Sequence, residues 1–565
     1  MIPKKIPYGL SNFADLIESG YAYVDKTRYI ELLENENNRY QFLIRPRRFG
    51  KSLFLTMLEN YYDLLRIDSF NHLFKNLYIG KNPTSEHNSY AVLHFDFSGL
   101  NTDSHEEFKI SFSARVEDTV RSFLFKYKEM INNSDFLLNS IYKNNLSIGA
   151  LDIAYNVINS SPVKIFVFID EYDHFANNLI AMGQSYKNEI NAGGIVRSFY
   201  ELLKIGAKSA VRRIFITGTS PMMLNDLTSG FNISTDYSLF PKYNEMFGFT
   251  NEEVEWILNE TKMDKNLIKI NIESYYNGYL FNNKAENRVY NPQMILYLFN
   301  QIFLLGGLPD NIVDANLQID YERLRRLAED DKNREKLLEI AKNEGIFGDI
   351  IEKFSIEKLN NNEYFLSLLF YLGMLTNGGK TKGRNWLKIP NYSIKTLYWE
   401  YIINYLRDSG ANQINTNFLS NAISKMAYEG NFKTYLDIFT EDFLKRLSNR
   451  DLLNFDEKYI KVMILSTLFM SRLYLPISED ENINGYTDIY LQKHPVIKDI
   501  KYEYIFEIKY IKSDTGKKDL ENAFSSALEQ LKRYKKDKRY INNDYLKFIA
   551  IIFRGKGKYF FREID

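Results

Sequence analysis

Two groups of residues in this 565-residue chain have the types and the spacing to do chemistry. The first is Arg45-Pro46-Arg47-Arg48-Phe49-Gly50-Lys51-Ser52, a basic turn that follows apolar Phe42-Leu43-Ile44 and opens a helix. The N–H groups of such a turn and helix start point at an anion, the lysine reaches β- and γ-phosphates, and the hydroxyl ligates Mg²⁺. Its acidic counterpart is Asp170-Glu171. Asp170 suits Mg²⁺ binding through Ser52 or water, and Glu171 suits polarising an attacking water. The second group is Asp488 with Glu507-Ile508-Lys509. Two carboxylates and a lysine that converge can bind one or two Mg²⁺ ions and position water for phosphodiester hydrolysis. Lys509 is suited to orient that water or to stabilise negative charge in the transition state.

Both groups need sheets to hold them. Ile165–Ile169, five consecutive apolar residues ahead of Asp170, predicts a strand buried on both faces, as in a parallel sheet. Ala91–Phe97 and Arg213–Thr219 predict two more strands, and the polar end of the latter offers Thr217 or Thr219 to sense a γ-phosphate or to cap the next turn. Helical stretches at Ser52–Leu65 and Ile195–Lys204 complete βαβ units and a doubly wound sheet. Arg45 stands where G-x-x-x-x-G-K-[ST] has its first glycine. A side chain costs roughly 1–2 kcal/mol in left-handed conformations, so either the turn avoids them here or the site is altered. Arg47 and Arg48 add positive charge, with phosphate binding, a subunit interface and pairing with surface carboxylates all open to them.

In the C-terminal strand Tyr504–Ile511, Glu507 and Lys509 project from the same side. They interrupt apolar Ile505, Phe506, Ile508 and Ile511, where charges without partners or a metal are costly. Asp456-Glu457-Lys458 opens an apolar helix running through Phe469, and Gln530 and Tyr534 share one face of a helix at Ala523–Tyr534. Between Lys498 and Lys558, 16 Lys and Arg stand against 9 Asp and Glu, densest at Lys532–Arg539, a balance suited to backbone phosphates. The middle of the chain carries amphipathic patterns such as Asp320–Asn343. Helix Tyr364–Leu375, the basic tip Asn377–Arg384, strand Trp386–Asn391 and helix Ile394–Leu406 together suit a winged helix.

Composition narrows the classes. At 565 residues the chain is long for one core, and 45% hydrophobic with 15% aromatic residues excludes a disordered protein. Formal charge is zero, so any nucleic-acid binding rests on local patches rather than a global field. With no cysteine there is no disulfide, thiolate metal site or Cys nucleophile. Met1–Pro7 lacks the apolar segment of a secretory signal, and the longest apolar runs, Tyr364–Leu375 and Val462–Met470, are too short to span a bilayer. The expectation is a soluble, cytoplasmic, multidomain protein with no membrane partner.

Tyr23-Val24-Asp25-Lys26-Thr27 with Arg45–Leu53 resembles the AAA-ATPase-like family of bacterial proteins, in which the phosphate loop begins with Arg. Tyr276–Phe281 and Val289–Pro292 resemble two further signatures of that family, with Asn277 where members usually have Asp. The resemblance implies ATP binding through Arg45, Arg47, Arg48, Gly50, Lys51, Ser52, Asp170 and Thr217. The C-terminal region is similar to the PD-(D/E)XK nuclease superfamily. That resemblance implies Glu457 as the helix acid, Asp488 and Glu507 as metal ligands, Lys509 as the catalytic lysine and Gln530 as the helix glutamine. Gly485-Tyr486-Thr487-Asp488 departs from the family's Gly-Arg-x-Asp by lacking the arginine. The expected fold class is α/β. A P-loop NTPase core at 1–245 precedes a helical lid at 246–310, a helical region with a winged helix at 311–450 and a restriction-endonuclease-like α/β domain at 451–565. The implied function is an ATP-dependent or ATP-regulated, Mg²⁺-dependent DNA nuclease, with Mn²⁺ able to serve at the nuclease site. Defence or mobile-element handling and homo-oligomerisation are compatible with it. The alternative is a nucleotide-driven switch that binds nucleic acid or protein through a non-cleaving nuclease-like domain.

Overall fold

The computed structural model describes the chain except residues 1, 133, 137, 139–153, 155, 158–160, 175–193, 222–232, 315–324, 327, 329, 355–361, 409–415, 446–455, 483–484, 541–542 and 565. The chain folds as two compact units. One comprises Met1–Gly306, Ile312–Asn333 and Phe347–Asn391, the other Gly307–Asn311, Arg334–Ile346 and Tyr392–Asp565.

The first unit is built on a parallel sheet. Its strands are β1 (Tyr40–Ile44), β2 (Ala91–Asp96), β3 (Ile165–Asp170), β4 (Val211–Gly218) and the short β5 (Thr235–Asp236). They lie in the order β2-β3-β4-β1-β5, and every pairing is parallel. Parallel neighbours need crossovers, and the intervening helices α1 (Lys51–Tyr62), α2 (His105–Lys126) and α3 (Ile195–Gly206) supply them. Every residue of β3 is buried, which is why its apolar run is unbroken until Asp170. Aromatic rings fill one side of the sheet: Phe97 stacks on Phe112 at 5.0 Å, and Phe199 meets Phe95 edge-on at 4.9 Å. Because β1 and β3 both run parallel to β4 between them, the turn after β1 and the carboxylates ending β3 emerge at the same end of the sheet.

Helix α4 (Pro292–Leu305) and helix α5 (Asn362–Tyr371) follow, then a hairpin of β6 (Thr376–Thr381) and β7 (Arg384–Lys388). Lys382 and Gly383 turn the hairpin with positive φ, the signature of a two-residue primed turn. Its tip is basic and exposed, and Arg384 lies 4.8 Å from the ring of Phe347. The helix expected after this wing, α6 (Tyr392–Asp408), belongs to the second unit, so the anticipated winged helix is divided between the two.

The second unit places α7 (Glu457–Phe469) before β8 (Tyr474–Asn482), β9 (Gly485–Lys493) and β10 (Glu503–Ile511). Helix α8 (Lys517–Tyr534) then crosses to β11 (Leu546–Arg554), which ends in β12 (Lys558–Ile564). The sheet order is β12-β11-β10-β9-β8, with only β10 and β11 parallel, the pair that α8 connects. Phe524, Ala527, Leu531 and Tyr534 form the stripe by which α8 packs on Ile505, Phe548, Ala550 and Ile552.

One contact joins the ends of β3 and β4 in the first unit. Buried Asp173 accepts hydrogen bonds from Thr219 N at 3.0 Å, Ser220 N at 2.7 Å and Ser220 Oγ at 2.7 Å. Gly218 lies directly beneath, where a β-carbon would fall inside contact distance of Tyr172 Cδ1 and Asp173 Oδ1. Gly218→Ala is therefore expected to destabilise the first unit by about 1–3 kcal/mol, the usual cost of overpacking a filled site. Chemical denaturation checks this, and an unchanged midpoint would show the strand ends are free to separate.

Candidate nucleotide and metal sites

The turn after β1 holds its shape through residues that point away from any ligand. Arg45 is 1% exposed, so its guanidinium lies inside the protein. It donates to Ile44 O at 2.9 Å, Ser238 O at 2.7 Å and Tyr243 O at 2.7 Å, and sits 4.1 Å over the ring of Phe281. This corrects the expectation that Arg45 binds the nucleotide: both terminal nitrogens donate to backbone carbonyls, and the buried Nε has no partner among the described residues. Burial pulls its pKa down to about 9, which leaves it protonated at neutral pH. Phe49 packs edge-on against Tyr279 and Phe281 at 5.0 and 5.6 Å. Asn291 Nδ2 donates to Arg47 O at 3.3 Å while Asn291 Oδ1 caps α4 through Gln293 N. The two signatures around Tyr279 and Asn291 are thus supports of the turn.

The chemical groups face the other way. Gly50 caps α1 with φ +89°, and the space beyond its α-carbon is open for 4 Å. Lys51 is buried, and its Nζ donates to Arg45 O and Pro46 O, both at 3.1 Å. Ser52 Oγ donates to Asp170 Oδ2 at 2.6 Å, across the gap spanned by β4. A cavity of about 310 Å³ opens over this edge, lined by Arg48, Gly50, Lys51, Ser52 and Glu171 and by apolar Tyr23, Val24, Phe247 and Leu296. A polar phosphate end beside an apolar slot suits a nucleotide with its base. Arg47 lies close enough for its charge to act on Lys51 and Glu171. Lys26, from the first signature, binds both oxygens of Glu253 at 2.6 and 2.7 Å and Glu245 O at 2.9 Å, fixing one wall. Thr217 and Thr219 are buried with hydroxyl oxygens that have no partner among the described residues.

The two carboxylates at this edge behave differently. Burial pushes the Asp170 pKa up, against the lowering hydrogen bond from Ser52. For Glu171 burial also acts upward, but the His174 hydrogen bond at 3.2 Å and the charges of Lys51 and Arg47 outweigh it and hold it at about 2. Glu171 also carries φ +53°, a strained conformation that turns its side chain toward the cavity.

In the second unit, the expected residues converge. Lys509 Nζ lies 2.9 Å from Glu507 Oε1, 3.4 Å from Glu457 Oε1 and 4.0 Å from Asp488 Oδ2. Asp488 Oδ2 also accepts Ile508 N at 2.8 Å, which fixes the carboxylate against β10. Glu507 is almost wholly buried, and its Oε2 has no partner among the described residues; neither has Gln530 Oε1 on α8. Tyr534, one turn beyond Gln530, has its pKa pushed up to about 12 by burial and by the Glu507 and Asp488 charges. Burial together with Asp488 raises Glu507 to about 7, despite the opposing Lys509. Burial raises Glu457 as well, while its carboxylate neighbours push Lys509 upward against the effect of burial. A hard donor set of Asp488 and Glu507 oxygens, one of them orphaned and buried, fits a Mg²⁺ or Mn²⁺ ion.

Two residues in these sites escaped sequence reading. Asp173, which locks the β4 end, was visible only as a third acid after Asp170-Glu171. Lys461, on α7 one turn after Glu457, is buried with Nζ 3.7 Å from Asp488 Oδ1. Its signal was a lysine inside an apolar helix.

Residues 7–228 match the family model described as a predicted AAA-ATPase, and residues 455–562 match that of the PD-(D/E)XK nuclease superfamily. The chain therefore joins an N-terminal AAA-ATPase-like region to a C-terminal nuclease-superfamily domain. An uncharacterized protein in the vnfD 5' region of Azotobacter chroococcum mcd 1 is 29% identical over 331 residues. The match covers 56% of this chain and 56% of that relative, so the chain spans about half the length of the curated relative. Among solved structures, the ORC2 protein of Aeropyrum pernix is 11% identical, with a TM-score of 0.31 over 72% of this chain and 96% of that one. Cdc6p of Pyrobaculum aerophilum is also 11% identical, with a TM-score of 0.24 over 72% and 97%. Among the described residues no helix is long and apolar enough to cross a membrane.

The raised pKa of Glu507 gives a stability signature in metal-free protein. A carboxyl whose folded pKa exceeds its unfolded value binds extra protons in the native state, so its contribution falls as pH rises from about 4.5 to about 7. Glu507→Gln is expected to match wild type near pH 5 and to exceed it at pH 8 by about 1–3 kcal/mol. Denaturation of both proteins in chelator at the two pH values measures this; a difference independent of pH would place Glu507 in solvent.

Proposed function

We propose that this chain is a nucleotide-driven, divalent-metal-dependent DNA nuclease, with ATP acting on the first unit and phosphodiester cleavage in the second. The observation that carries the reading is the meeting of Glu457, Asp488, Glu507 and Lys509 around one ammonium, with a buried carboxylate oxygen left unpartnered. Such an arrangement is costly as pure structure and serves a phosphodiester-cleaving centre well.

In the first unit the turn's N–H groups and Lys51 would hold the β- and γ-phosphates of ATP, with the base in the slot of Tyr23, Val24, Phe247 and Leu296. Ser52 and Asp170, already 2.6 Å apart, would hold its Mg²⁺. Glu171, ionised at any physiological pH and aimed into the cavity, would orient the attacking water. Thr217 or Thr219, each with a buried hydroxyl unpartnered among the described residues, would sense the γ-phosphate.

In the second unit Asp488 and Glu507 would hold Mg²⁺ or Mn²⁺, which supplies Lewis-acid polarisation of the phosphate and an activated water. Lys509, tied to three carboxylates, stays protonated; it would present a fixed positive charge to the phosphate rather than take a proton. Glu457 fixes Lys509 from α7, and Gln530 offers its amide from α8. The exposed basic end of α8 around Lys532, Arg533, Lys535 and Lys536 would carry the flanking phosphates.

The test incubates the full chain with linear, circular and single-stranded DNA, with Mg²⁺ or Mn²⁺, with and without ATP. Glu507→Ala and Lys509→Ala are expected to lower cleavage at least about a hundredfold. Lys51→Ala and Asp170→Ala are expected to abolish the response to ATP without removing the metal site. Cleavage by Glu507→Ala at the wild-type rate would leave the nuclease-like domain a binding module, and ATP binding by Lys51→Ala at wild-type affinity would refute the phosphate-loop assignment.

A further inference from the structure

Lys461 is a second cation in the C-terminal site, on the far side of Asp488 from Lys509. Helix α7 brings it there: Glu457 and Lys461 are four residues apart and share one face, so the turn that delivers the acid to Lys509 also delivers an ammonium to Asp488. α7 is buried on most of its surface, and Lys461 is only 9% exposed within it. A lysine is almost never buried this far unless a charge partner holds it. One partner is Asp488 Oδ1, 3.7 Å from Nζ. The other oxygen, Oδ2, takes the Ile508 N–H and lies 4.0 Å from Lys509. Behind Lys461 lies Glu344, which is engaged by Lys395 Nζ at 2.6 Å and by Ser478 Oγ. Glu344 is thus matched by Lys395, and the charge of Lys461 acts on both Glu344 and Asp488.

A carboxylate that bridges two divalent ions offers one oxygen to each, with the ions about 3.5–4 Å apart. At Asp488 the Lys461 ammonium stands on the Oδ1 side at 3.7 Å, and Lys509 stands farther off Oδ2, at 4.0 Å. We propose that Lys461 is a positioning residue that holds the Oδ1 side of Asp488 in place of a second metal ion. The site therefore takes one divalent cation, between Asp488 and Glu507. Three carboxylates, Glu457, Asp488 and Glu507, then face two resident lysines and one divalent ion, a charge set close to balance. With two divalent ions and both lysines the same pocket would hold a large positive excess. Lys461 also competes with the bound ion for Asp488, so it weakens metal binding while keeping the carboxylate oriented when no metal is present. The inference rests on the metal-site reading given above and adds the stoichiometry and the residue that sets it.

The experiment is a titration of nucleotide-free full-length protein with Mn²⁺, read by calorimetry and by the EPR signal of free Mn²⁺. Asp488→Asn serves as the blank for the C-terminal site. Wild type is expected to bind one Mn²⁺ that Asp488→Asn removes. Lys461→Met is expected either to bind that ion at least about tenfold more tightly or to take up a second one, because a unit charge close to the site is withdrawn. Lys461→Arg, which keeps the charge, is expected to titrate like wild type. Lys461→Gln replaces Lys461→Met if the latter fails to fold, as judged by circular dichroism and thermal melting. Unchanged stoichiometry and affinity in the charge-removing variant would overturn the role of Lys461 while leaving the site intact. Absence in wild type of any Mn²⁺ that depends on Asp488 would instead refute the metal site itself.

Discussion

The edge of the first unit where Gly50, Lys51 and Ser52 line the cavity depends on a buried arginine. Arg45 follows β1, and its guanidinium is held by the carbonyls of Ile44, Ser238 and Tyr243 and by the face of Phe281. Burying a cation without a carboxylate in direct contact is costly unless its donors are met. Here three carbonyl bonds and a ring hold the terminal nitrogens, while Nε has no partner among the described residues, and the bonds make a constraint: β1 cannot move without the segment from Ser238 to Tyr243. That segment continues into Met246–Phe249, which lines the cavity, and Glu245 and Glu253 beside it are tied to Lys26. Phe49 and Phe281 close the same knot from the other end of the turn. A side chain where other phosphate loops carry glycine is thus compatible with the loop's geometry. Arg45 does not take positive φ; Arg48 at +68° and Gly50 at +89° do, and the left-handed conformation has moved along the turn.

Much of this was legible in sequence because burial on both faces leaves a long apolar signal. Ile165–Ile169 gave β3, and the charges interrupting apolar residues in Tyr504–Ile511 marked Glu507 and Lys509 as residues with partners. The P-loop serine and the strand-end aspartate were predicted to meet, and they lie 2.6 Å apart. Other features could not be read, for one physical reason. Arg45 and its acceptors Ser238 and Tyr243, or Lys461 and Asp488, are far apart in the chain, and a hydrogen bond between distant residues leaves no local pattern. Arg45 was assigned to phosphate because it lies in the same turn as Gly50, Lys51 and Ser52, whereas its burial sends it inward. Lys461 was hidden by the helix that carries it: α7 is apolar nearly all round, so there was no polar face for the lysine to break. Asp173 sat in plain view beside Asp170-Glu171, but only the fold shows that it faces the β4 end and not the cavity.

The two acidic centres show how burial can be turned to opposite uses. At both, a glutamate sits at or near the exposed end of a buried strand, and desolvation alone would raise each pKa. At Glu171 a histidine and two cations prevail, and the group falls to about 2, so its charge is constant and available as a fixed electrostatic element. At Glu507 the nearest cation is shared with Glu457 and Asp488, and another carboxylate adds repulsion, so the group rises to about 7. A carboxylate in that state is a good ligand precisely where a divalent ion can replace its proton, because the metal relieves the same repulsion that protonation does. The first centre is preset by side chains alone. The second is left short of positive charge, and the lysines on either side of Asp488 determine how much remains for a metal to supply.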